Sequence, residues 1–346
     1  MDLLDQIFGL FSDFANPKKR IFVGYIGVSI LIAFAWLILL RKTSASQALK
    51  RIFDPKILFS GSAFADYKIF VINRIFTGFI SPLLLTQVAI ATGVYMALVR
   101  SDIIPWGGMA HVSTPIVIGL FSITMFAVDD LTKYLLHRWM HKWPILWPIH
   151  KVHHSAETMS PITVYRVHPL EGVLYATRSV MAQGPIISLF YYLFGDKVDL
   201  YTVVGVNVIV FIFHVTGSNL RHSHIDIRYP KWIEHIFISP AQHQIHHSIA
   251  EKHYDKNFGA TLAVWDWCFG SLHVSQGEQD FKFGLTANEG QYATNLKTIY
   301  FAPIEEIAVL LVGYFRGIKG LVLGQFRRFR AGSATDEFTG EGERET

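Results

Sequence analysis

Residues 21–40, IFVGYIGVSILIAFAWLILL, form a run of 20 residues without a charged side chain. Basic residues flank this run on both sides: Lys18, Lys19 and Arg20 before it, Arg41 and Lys42 after it. A helix needs about 20 apolar residues to cross a hydrocarbon core about 30 Å thick. The apolar region of a signal peptide is shorter, about 7 to 15 residues. The run therefore predicts a transmembrane helix.

The composition of the whole chain agrees with a membrane protein. Of its 346 residues 51% are hydrophobic and only 17% are charged, and the mean hydropathy is +0.31. About a quarter of the residues in soluble proteins are charged, so the composition argues against a disordered, coiled-coil or nucleic-acid-packaging protein. The net charge of +4 is modest, and no nucleic-acid partner is expected. The single cysteine, Cys268, excludes an internal disulfide and a cysteine-based zinc site.

Four further segments are apolar enough to be membrane elements: residues 75–99, 115–128, 172–194 and 200–217. The first of these has 25 residues without a charge and is expected to span the membrane as one helix, with a possible kink at Pro82. The second either ends at Asp129 or continues as a helix that rises out of the membrane toward His137.

Basic residues between the spans predict the orientation of the chain. The connection 41–68 holds six Lys and Arg residues and is expected to be cytoplasmic, and counting crossings places both histidine-rich stretches on the same side. The predicted fold is all-α, a multi-pass helical membrane protein with a cytoplasmic histidine-rich helical cap. Its predicted parts are an N-terminal segment 1–20, transmembrane helices in 21–130, a histidine-rich catalytic region 131–300 that includes further membrane helices near 172–217, an interfacial helix in 301–330 and a disordered tail 331–346.

Histidines are concentrated in one part of the chain. Thirteen of the 16 lie between His137 and His247, and eight of these form three groups. The groups are His137-x3-His141, His150-x2-His153-His154 and His243-x2-His246-His247. In a helix, positions three and four residues apart share one face about 5 to 6 Å apart, close enough for two imidazoles to hold one metal ion.

The repeated pattern favours a metal site. A single histidine in an apolar protein usually packs against a carbonyl oxygen, and we expect that role for His111, His253 and His273. Eight clustered imidazoles would repel one another when protonated unless a metal ion kept them neutral. Eight are more than one tetrahedral ion can use and are about what two ions need. The nearby acids lack the Glu-x-x-His spacing of soluble di-iron bundles, and an all-nitrogen site suits Fe, Zn, Cu or Ni.

The three groups resemble the histidine boxes of the fatty acid hydroxylase/sterol desaturase superfamily, which are membrane di-iron oxygenases. The flanking sequence is similar as well: Arg166-Val-His168-Pro169-Leu-Glu171, Ser239-Pro240, Asp255-Lys-Asn257-Phe-Gly259 and Trp265-Asp266-x2-Phe269-Gly270. The resemblance covers roughly residues 126–273. It implies that the eight box histidines are catalytic metal ligands.

The resemblance also implies at least one ligand between the second and third boxes. His222 has the expected spacing and ranks first, with His214 and His224 as further candidates. His168 precedes a proline, so it should sit on a turn rather than inside a helix, either beside the site or in a purely structural role. Candidate residues that orient the imidazoles from behind are His168, Arg166, Glu171 and Asp266.

The implied reaction is an O2-dependent hydroxylation, or desaturation, at an unactivated C–H bond of a lipid of sterol or fatty-acyl type. The implied cofactors are two metal ions, in the first place iron with zinc as an alternative in purified protein, and O2 is the co-substrate. Because the sequence shows no flavin, haem or nicotinamide motif, a separate cytochrome b5 or ferredoxin type donor with its reductase is expected. The basic residues Lys133, Arg138, Lys142 and Lys151 could dock such a donor or reflect the orientation bias alone.

Other functions stay open at this level. A membrane b-type cytochrome needs one histidine per helix and has no use for HxxHH. A metal transporter, or another membrane metal-binding protein without oxygenase activity, would place its ligands inside the spans. The individual lipid, the oligomeric state and the choice between a bacterial inner membrane and an internal eukaryotic membrane are not determined by the sequence.

Overall fold

A computed structural model describes residues 14–17, 19–84, 86–101, 103, 105–198, 212–213, 218–275, 277, 281–286 and 292–336, without the side chains of 82 and 317–336. The described residues are mainly helical and hold two isolated antiparallel bridges. The α-helices are α1 Val23–Ala35, α2 Ala45–Ile52, α3 Pro55–Leu58, α4 Gly61–Ile80, α5 Gln87–Ser101, α6 Thr114–Lys142, α7 Trp147–His154, α8 Pro169–Phe194, α9 Lys231–Glu234, α10 Pro240–His246, α11 Val264–Cys268 and α12 Leu296–Asp336. A π-helical turn, Trp36–Leu40, extends α1, and short 3-10 turns include Ser81–Leu83, Pro161–Tyr165, Ser218–His222 and Glu251–His253.

In the part of the chain that the structure describes, three helices are long and apolar enough to cross a membrane. They are Val23–Leu40, Thr114–Lys142 and Leu296–Arg316. At most 28% of the apolar window of each helix is buried inside the protein, so most of this apolar surface faces outward. Outward-facing apolar helices are what a lipid environment requires, and the prediction of a helical multi-pass membrane fold is confirmed.

The predicted single span 75–99 is wrong. Helix α4 ends at Ile80, a 3-10 turn occupies Ser81–Leu83, and α5 begins at Gln87. Pro82 has no backbone N–H and its ring clashes with the preceding turn, which kinks or breaks a helix; here the helix breaks. The 15 residues of α5 extend over only about 22 Å, which is shorter than a hydrocarbon core.

Helix α6 runs without a break from the apolar segment into the first histidine group. Its 29 residues include Asp129, Asp130, His137 and His141. Of the two alternatives left by the sequence, the structure therefore has the helix that continues toward His137. The apolar half of α6 packs on α8, where Phe121 meets Phe190 with ring centroids 5.3 Å apart.

Helix α8 is held on both sides. Arg178 donates to the Asp129 carboxylate at 2.9 Å and so ties α8 to α6. On the other side Ser188 donates to the Ala91 carbonyl at 2.5 Å, and Gly184 lies against Ile90 of α5. The predicted membrane element 172–194 is thus part of α8, while the predicted element 200–217 lies outside the described residues apart from 212–213.

The first helix is tied to the histidine-rich region. Arg41, just after the π-helical turn, forms an ion pair of 2.6 Å with Asp226. Leu37 packs in one cluster with Leu220 and Ile225. These contacts fix the segment around residues 218–227 against the end of a membrane helix.

The last helix, α12, contains Pro303 and continues to Asp336. Six residues of the predicted tail, 331–336, belong to it, and residues 337–346 lie outside the described part of the chain. Its first half meets the criteria for a membrane span, whereas the sequence predicts an interfacial helix there; the interfacial location stays a prediction.

Gly184 offers a test of the contact between α5 and α8. A Cβ at this position would lie 2.8 Å from Ile90 Cγ2 and 3.3 Å from the Ala91 nitrogen, whereas a Cβ on Gly172 in the same helix would meet nothing within 4 Å. Overpacking a tight contact costs about 1–3 kcal/mol, while replacing glycine by alanine in an open helical position stabilises by about 0.5–1 kcal/mol. We expect Gly184→Ala to lower the midpoint of thermal unfolding in detergent and Gly172→Ala to leave it equal or raised. Equal shifts in both variants would contradict the close contact.

Candidate metal centre

The first two histidines project from the end of α6. His137 and His141 are one turn apart, and their ring centroids lie 5.2 Å from each other. The Asp130 carboxylate, two turns earlier on α6, accepts from the backbone nitrogens of Thr261 and Leu262 at 3.1 and 3.0 Å. This contact joins α6 to the segment that follows the third box.

The second and third boxes form two short buried helices. All three histidines of α7, His150, His153 and His154, are buried. In α10 the Ser239 side chain caps the helix in a capping box with Gln242, and Pro240 occupies the first turn. Because helix α10 starts at this cap, His243 and His246 lie within it and His247 forms its C-terminal cap.

Among the described residues, nine histidines come together in two groups. The first histidine group is His137, His141, His150, His154 and His246, and the second histidine group is His153, His222, His243 and His247. Within each group one nitrogen from every ring lies within 4.8 Å of those of the others. The structure thus brings together all eight histidines of the three boxes.

Each HxxHH box contributes to both groups. The outer histidines of the second box, His150 and His154, belong to the first group, and the inner His153 belongs to the second. The third box is arranged the other way round: His243 and His247 belong to the second group and His246 to the first. The two groups are therefore neighbours built on the same two helices.

Of the three further candidates, His222 joins the second group. Its Nε2 lies 2.9 Å from Nε2 of His243 and 3.1 Å from Nε2 of His153. His224 lies elsewhere, with its Nε2 2.5 Å from the Arg51 carbonyl oxygen. His214 lies outside the described residues.

Hydrogen bonds behind the rings set their orientation. A carbonyl oxygen has no proton to give, so the Nδ1–H of His137 donates to Phe258 O at 2.7 Å, that of His246 to Lys256 O at 2.8 Å and that of His153 to Arg166 O at 3.2 Å. This fixes the tautomer and directs the Nε2 lone pair of each ring to the interior.

The inward nitrogens fit a bound cation. The Nε2 atoms of His141, His150, His154, His246 and His247 are buried without a hydrogen-bond partner among the described residues. Buried polar atoms without partners are costly, and two unprotonated nitrogens about 3 Å apart repel each other unless a proton or a cation lies between them. Imidazole nitrogens that converge in this way are the donors that Fe and Zn accept.

Burial keeps these imidazoles neutral. It lowers the pKa of His153 to about 3 and holds the pKa of His150, His154, His222, His243, His246 and His247 well below the ordinary value, and neighbouring imidazoles lower them further. A neutral imidazole has the free lone pair that a metal ion needs, so the rings are ready to bind at neutral pH.

The loop after the third box supplies two of the orienting carbonyls. Asp255 and Asn257 adopt positive φ angles of 59° and 57°, which few residues other than glycine and asparagine tolerate. The Asn257 side chain donates to Gln242 O and His273 O at 3.0 and 2.9 Å, which holds this backbone in place. Lys256 and Phe258 act through backbone oxygens, so their side chains give no signal in the sequence; the adjacent Asn257 and Gly259 are the residues that mark this loop.

Asp266 acts on the same loop. Its carboxylate accepts from the Phe258 and Gly259 nitrogens at 2.8 and 2.7 Å and from the Ser271 hydroxyl at 2.6 Å. A Cβ on Gly259 would lie 2.7 Å from Leu262 O and 2.8 Å from Asp266 Oδ2, so only glycine fits here. Asp266 touches no imidazole, and its effect on His137 passes through the Phe258 carbonyl.

The other candidate orienting residues have different positions. Glu171 accepts from His150 Nδ1 at 2.9 Å, with both side chains buried. The Arg166 side chain is buried against Asp66 at 2.7 Å, so only its carbonyl reaches a histidine. His168 caps α8, where its Nδ1 accepts from Leu170 N at 3.2 Å, and its Nε2 lies 3.1 Å from Tyr300 O. His168 therefore has the turn position expected from the following proline, and it lies in neither group.

A cavity of about 340 Å³ reaches the histidines. Its wall includes His141, His154, His246 and His247, together with Tyr254 and Asp255. Trp147 also lines it, with its ring 5.2 Å from that of His141 and 5.7 Å from that of His154. The cavity gives a molecule from outside access to the first histidine group.

Comparison with known proteins agrees with this site. The family model for fatty acid hydroxylase matches residues 122–271. An alkylglycerol monooxygenase of Caenorhabditis elegans is 24% identical over 56% of this chain and 34% of its own length. An ornithine lipid hydroxylase of Rhizobium tropici is 25% identical over 52% of this chain and 48% of its own length. A lathosterol oxidase of Mus musculus is 26% identical over 49% of this chain and 49% of its own length. No solved structure matches the chain significantly.

The chain spans between a third and a half of the length of these relatives. The matched region contains all three histidine boxes, His222 and the orienting loop with Asp266. Over this region the chain matches the fatty acid hydroxylase family and is similar to members of the fatty acid hydroxylase/sterol desaturase superfamily.

Proposed function

We propose that this protein is a membrane di-iron oxygenase that hydroxylates a C–H bond of a lipid with O2, with desaturation as the alternative outcome of the same chemistry. The observation that carries the proposal is the pair of neighbouring histidine groups, with five and four rings, built on shared helices. Two adjacent metal sites in a buried pocket are typical of enzymes that act on one substrate with both ions.

The two iron ions, when bound, would supply the activation of O2 that no protein side chain can provide. His137, His141, His150, His154 and His246 would hold one ion, and His153, His222, His243 and His247 the other. The carbonyls of Arg166, Lys256 and Phe258 and the carboxylate of Glu171 keep these rings oriented. The groups are buried, which keeps bulk water away from the reacting atoms.

The substrate class follows from the relatives and the membrane setting. The relatives include an ornithine lipid hydroxylase and a lathosterol oxidase. The spanning helices keep the site next to the bilayer, where an acyl chain or a sterol is dissolved. Hydroxylation places one oxygen atom in the lipid and the other in water, and it consumes two electrons and two protons.

These electrons require a donor of the cytochrome b5 or ferredoxin type with its reductase. The four basic residues considered for docking are engaged within the protein. Lys133 pairs with Asp129, Lys142 with Asp255 and Lys151 with Glu306, each at 2.6 Å. Arg138 donates to the Tyr134 hydroxyl at 3.0 Å, and Lys151 is buried. We therefore do not assign the docking surface for the electron donor to these four basic residues. The cytoplasmic side of the membrane remains the side that the loop charges predict.

A metal transporter is the less favoured function. Seven of the nine grouped histidines lie on helices and turns outside the three candidate spans, and the remaining two lie in the last turns of α6. A transport path would need ligands along the spans.

The direct test is turnover. Protein reconstituted with iron, a reductase system and membrane lipids should incorporate one atom of isotopically labelled dioxygen into a lipid product, detected by mass spectrometry. Product without label from dioxygen, or no O2 consumption by iron-loaded protein across the lipid classes, would count against the oxygenase.

His222 and His224 form a matched pair for testing the second group. Removing His222 takes one of only four rings from that group, whereas His224 contacts neither group. We expect His222→Ala to reduce the metal content from about two ions per chain to about one and to abolish turnover, and His224→Ala to retain both ions, measured by elemental mass spectrometry. Two ions in His222→Ala would remove this residue from the site.

Glu171 and Glu157 form a second matched pair. Glu171 bonds His150, while Glu157 is exposed. Glu171→Gln keeps the shape but removes the charge behind the ring, and such changes typically lower metal affinity by about 10–100-fold. We expect Glu171→Gln to lower the metal affinity by this factor in a chelator competition assay, and Glu157→Gln to leave the affinity unchanged. Equal affinity in the two variants would show that the Glu171 carboxylate does not tune the first group.

A further inference from the structure

Five apolar side chains near the third box are exposed. Trp232, Ile236, Phe237, Trp267 and Phe269, here called the aromatic ridge, have between 40% and 69% of their surface accessible. They come from two adjacent segments, since Phe237 forms an antiparallel bridge with Leu262 and the His235 ring lies 5.9 Å from the Trp267 ring. Clustered exposed aromatic residues usually mark an interaction surface.

The metal chemistry does not account for this surface. None of the five residues belongs to either histidine group as far as the chain is described, and none lines the cavity that reaches the histidines. The ridge must therefore be explained by what it contacts outside the protein.

Contacts with α6 fix the position of the aromatic ridge along the axis of that helix. The Asp130 carboxylate accepts from Leu262 N and from Trp265 Nε1, each at 3.0 Å. One turn further along, the Tyr134 ring stacks on Phe269 at 5.4 Å, and after a second turn Arg138 donates to Phe269 O at 3.2 Å. Segment 262–269 thus lies beside residues 130–138 of α6, a length of about 12 Å along the helix.

This part of α6 lies where the helix leaves the hydrocarbon. The helix begins at Thr114, and a core about 30 Å thick accommodates about 20 residues, which reaches Lys133. Residues 130–138 therefore occupy the boundary between acyl chains and headgroups. Trp139, on α6 itself, is also exposed at nearly the same height.

We propose that the aromatic ridge inserts into the headgroup region of the bilayer and that its partner is the lipid surface. Tryptophan and other aromatic rings favour this zone because their apolar bodies enter the acyl region while their polar edges stay hydrated. Lys231, exposed beside Trp232, suits contact with lipid phosphates. This anchor holds helix α10, whose N-cap Ser239 follows two residues after Phe237 and which carries the third box, at a fixed depth beside the membrane.

Cys268 lies between Trp267 and Phe269, is exposed and is the only cysteine in the chain, so a nitroxide label can be attached there without other changes. In protein reconstituted into phosphatidylcholine vesicles with a fraction of anionic phosphatidylglycerol, power saturation measures access of dissolved oxygen and of a water-soluble nickel chelate to the label. The matched control is Cys268→Ser with Glu251→Cys. Glu251 is exposed and lies near Asp255, which pairs with Lys142 at the far end of α6.

We expect the ratio of oxygen to nickel access to be several-fold higher at position 268 than at position 251, and to fall toward the control in a Trp232→Ser/Trp267→Ser variant. A label at 268 that is as open to nickel as the control would place the ridge in water and overturn the proposal. Low access to both reagents, with dipolar broadening between labels, would show that a second copy of the chain covers the ridge and would overturn it equally.

Discussion

The structure depends on keeping unpaired imidazole nitrogens buried and facing one another. Among the described residues, nine neutral imidazole rings direct the lone pairs of Nε2 or Nδ1 toward the centres of the two groups. Burying these lone pairs without bound cations costs free energy. Several of these rings are held from their other side. Hydrogen bonds from Nδ1 to fixed acceptors perform that task at His137, His150, His153 and His246.

Those acceptors come from distant parts of the chain, which explains why so much polar structure is buried around the site. The Arg166 carbonyl is fixed because its guanidinium bonds Asp66 in α4 and Tyr292 O before α12. The Phe258 carbonyl is fixed because Asp266 clamps the same loop. A change at Asp66 or Asp266 would therefore reach the two histidine groups without touching any of their imidazoles, since the rings follow the backbone to which they are hydrogen-bonded.

The sequence predicted what depends on local spacing. Residues four apart share a helix face, so the pairs His137 with His141, His150 with His154 and His243 with His247 could be foreseen, and the position of His222 was foreseen through the family resemblance. The sequence could not predict that His153 and His246 belong to opposite groups, because this depends on how α7 and α10 face each other. Backbone acceptors such as Lys256 O carry no side-chain signature. The break at Pro82 was underestimated because an apolar run shows its length but not whether its hydrogen bonds continue.

The crossed arrangement gives a physical reason for the HxxHH pattern. In each HxxHH box the first and last histidines belong to one group, and the histidine before the last belongs to the other. Around the helix axis, a side chain three residues after the first histidine is rotated by about 300° and one four residues after it by about 400°. The last two histidines of the box therefore differ in direction by about 100°. One short helix can thus present donors to two adjacent ions. Because α7 and α10 do this in opposite senses, moving either helix would disturb both groups at once, and the two histidine groups are built as a single unit.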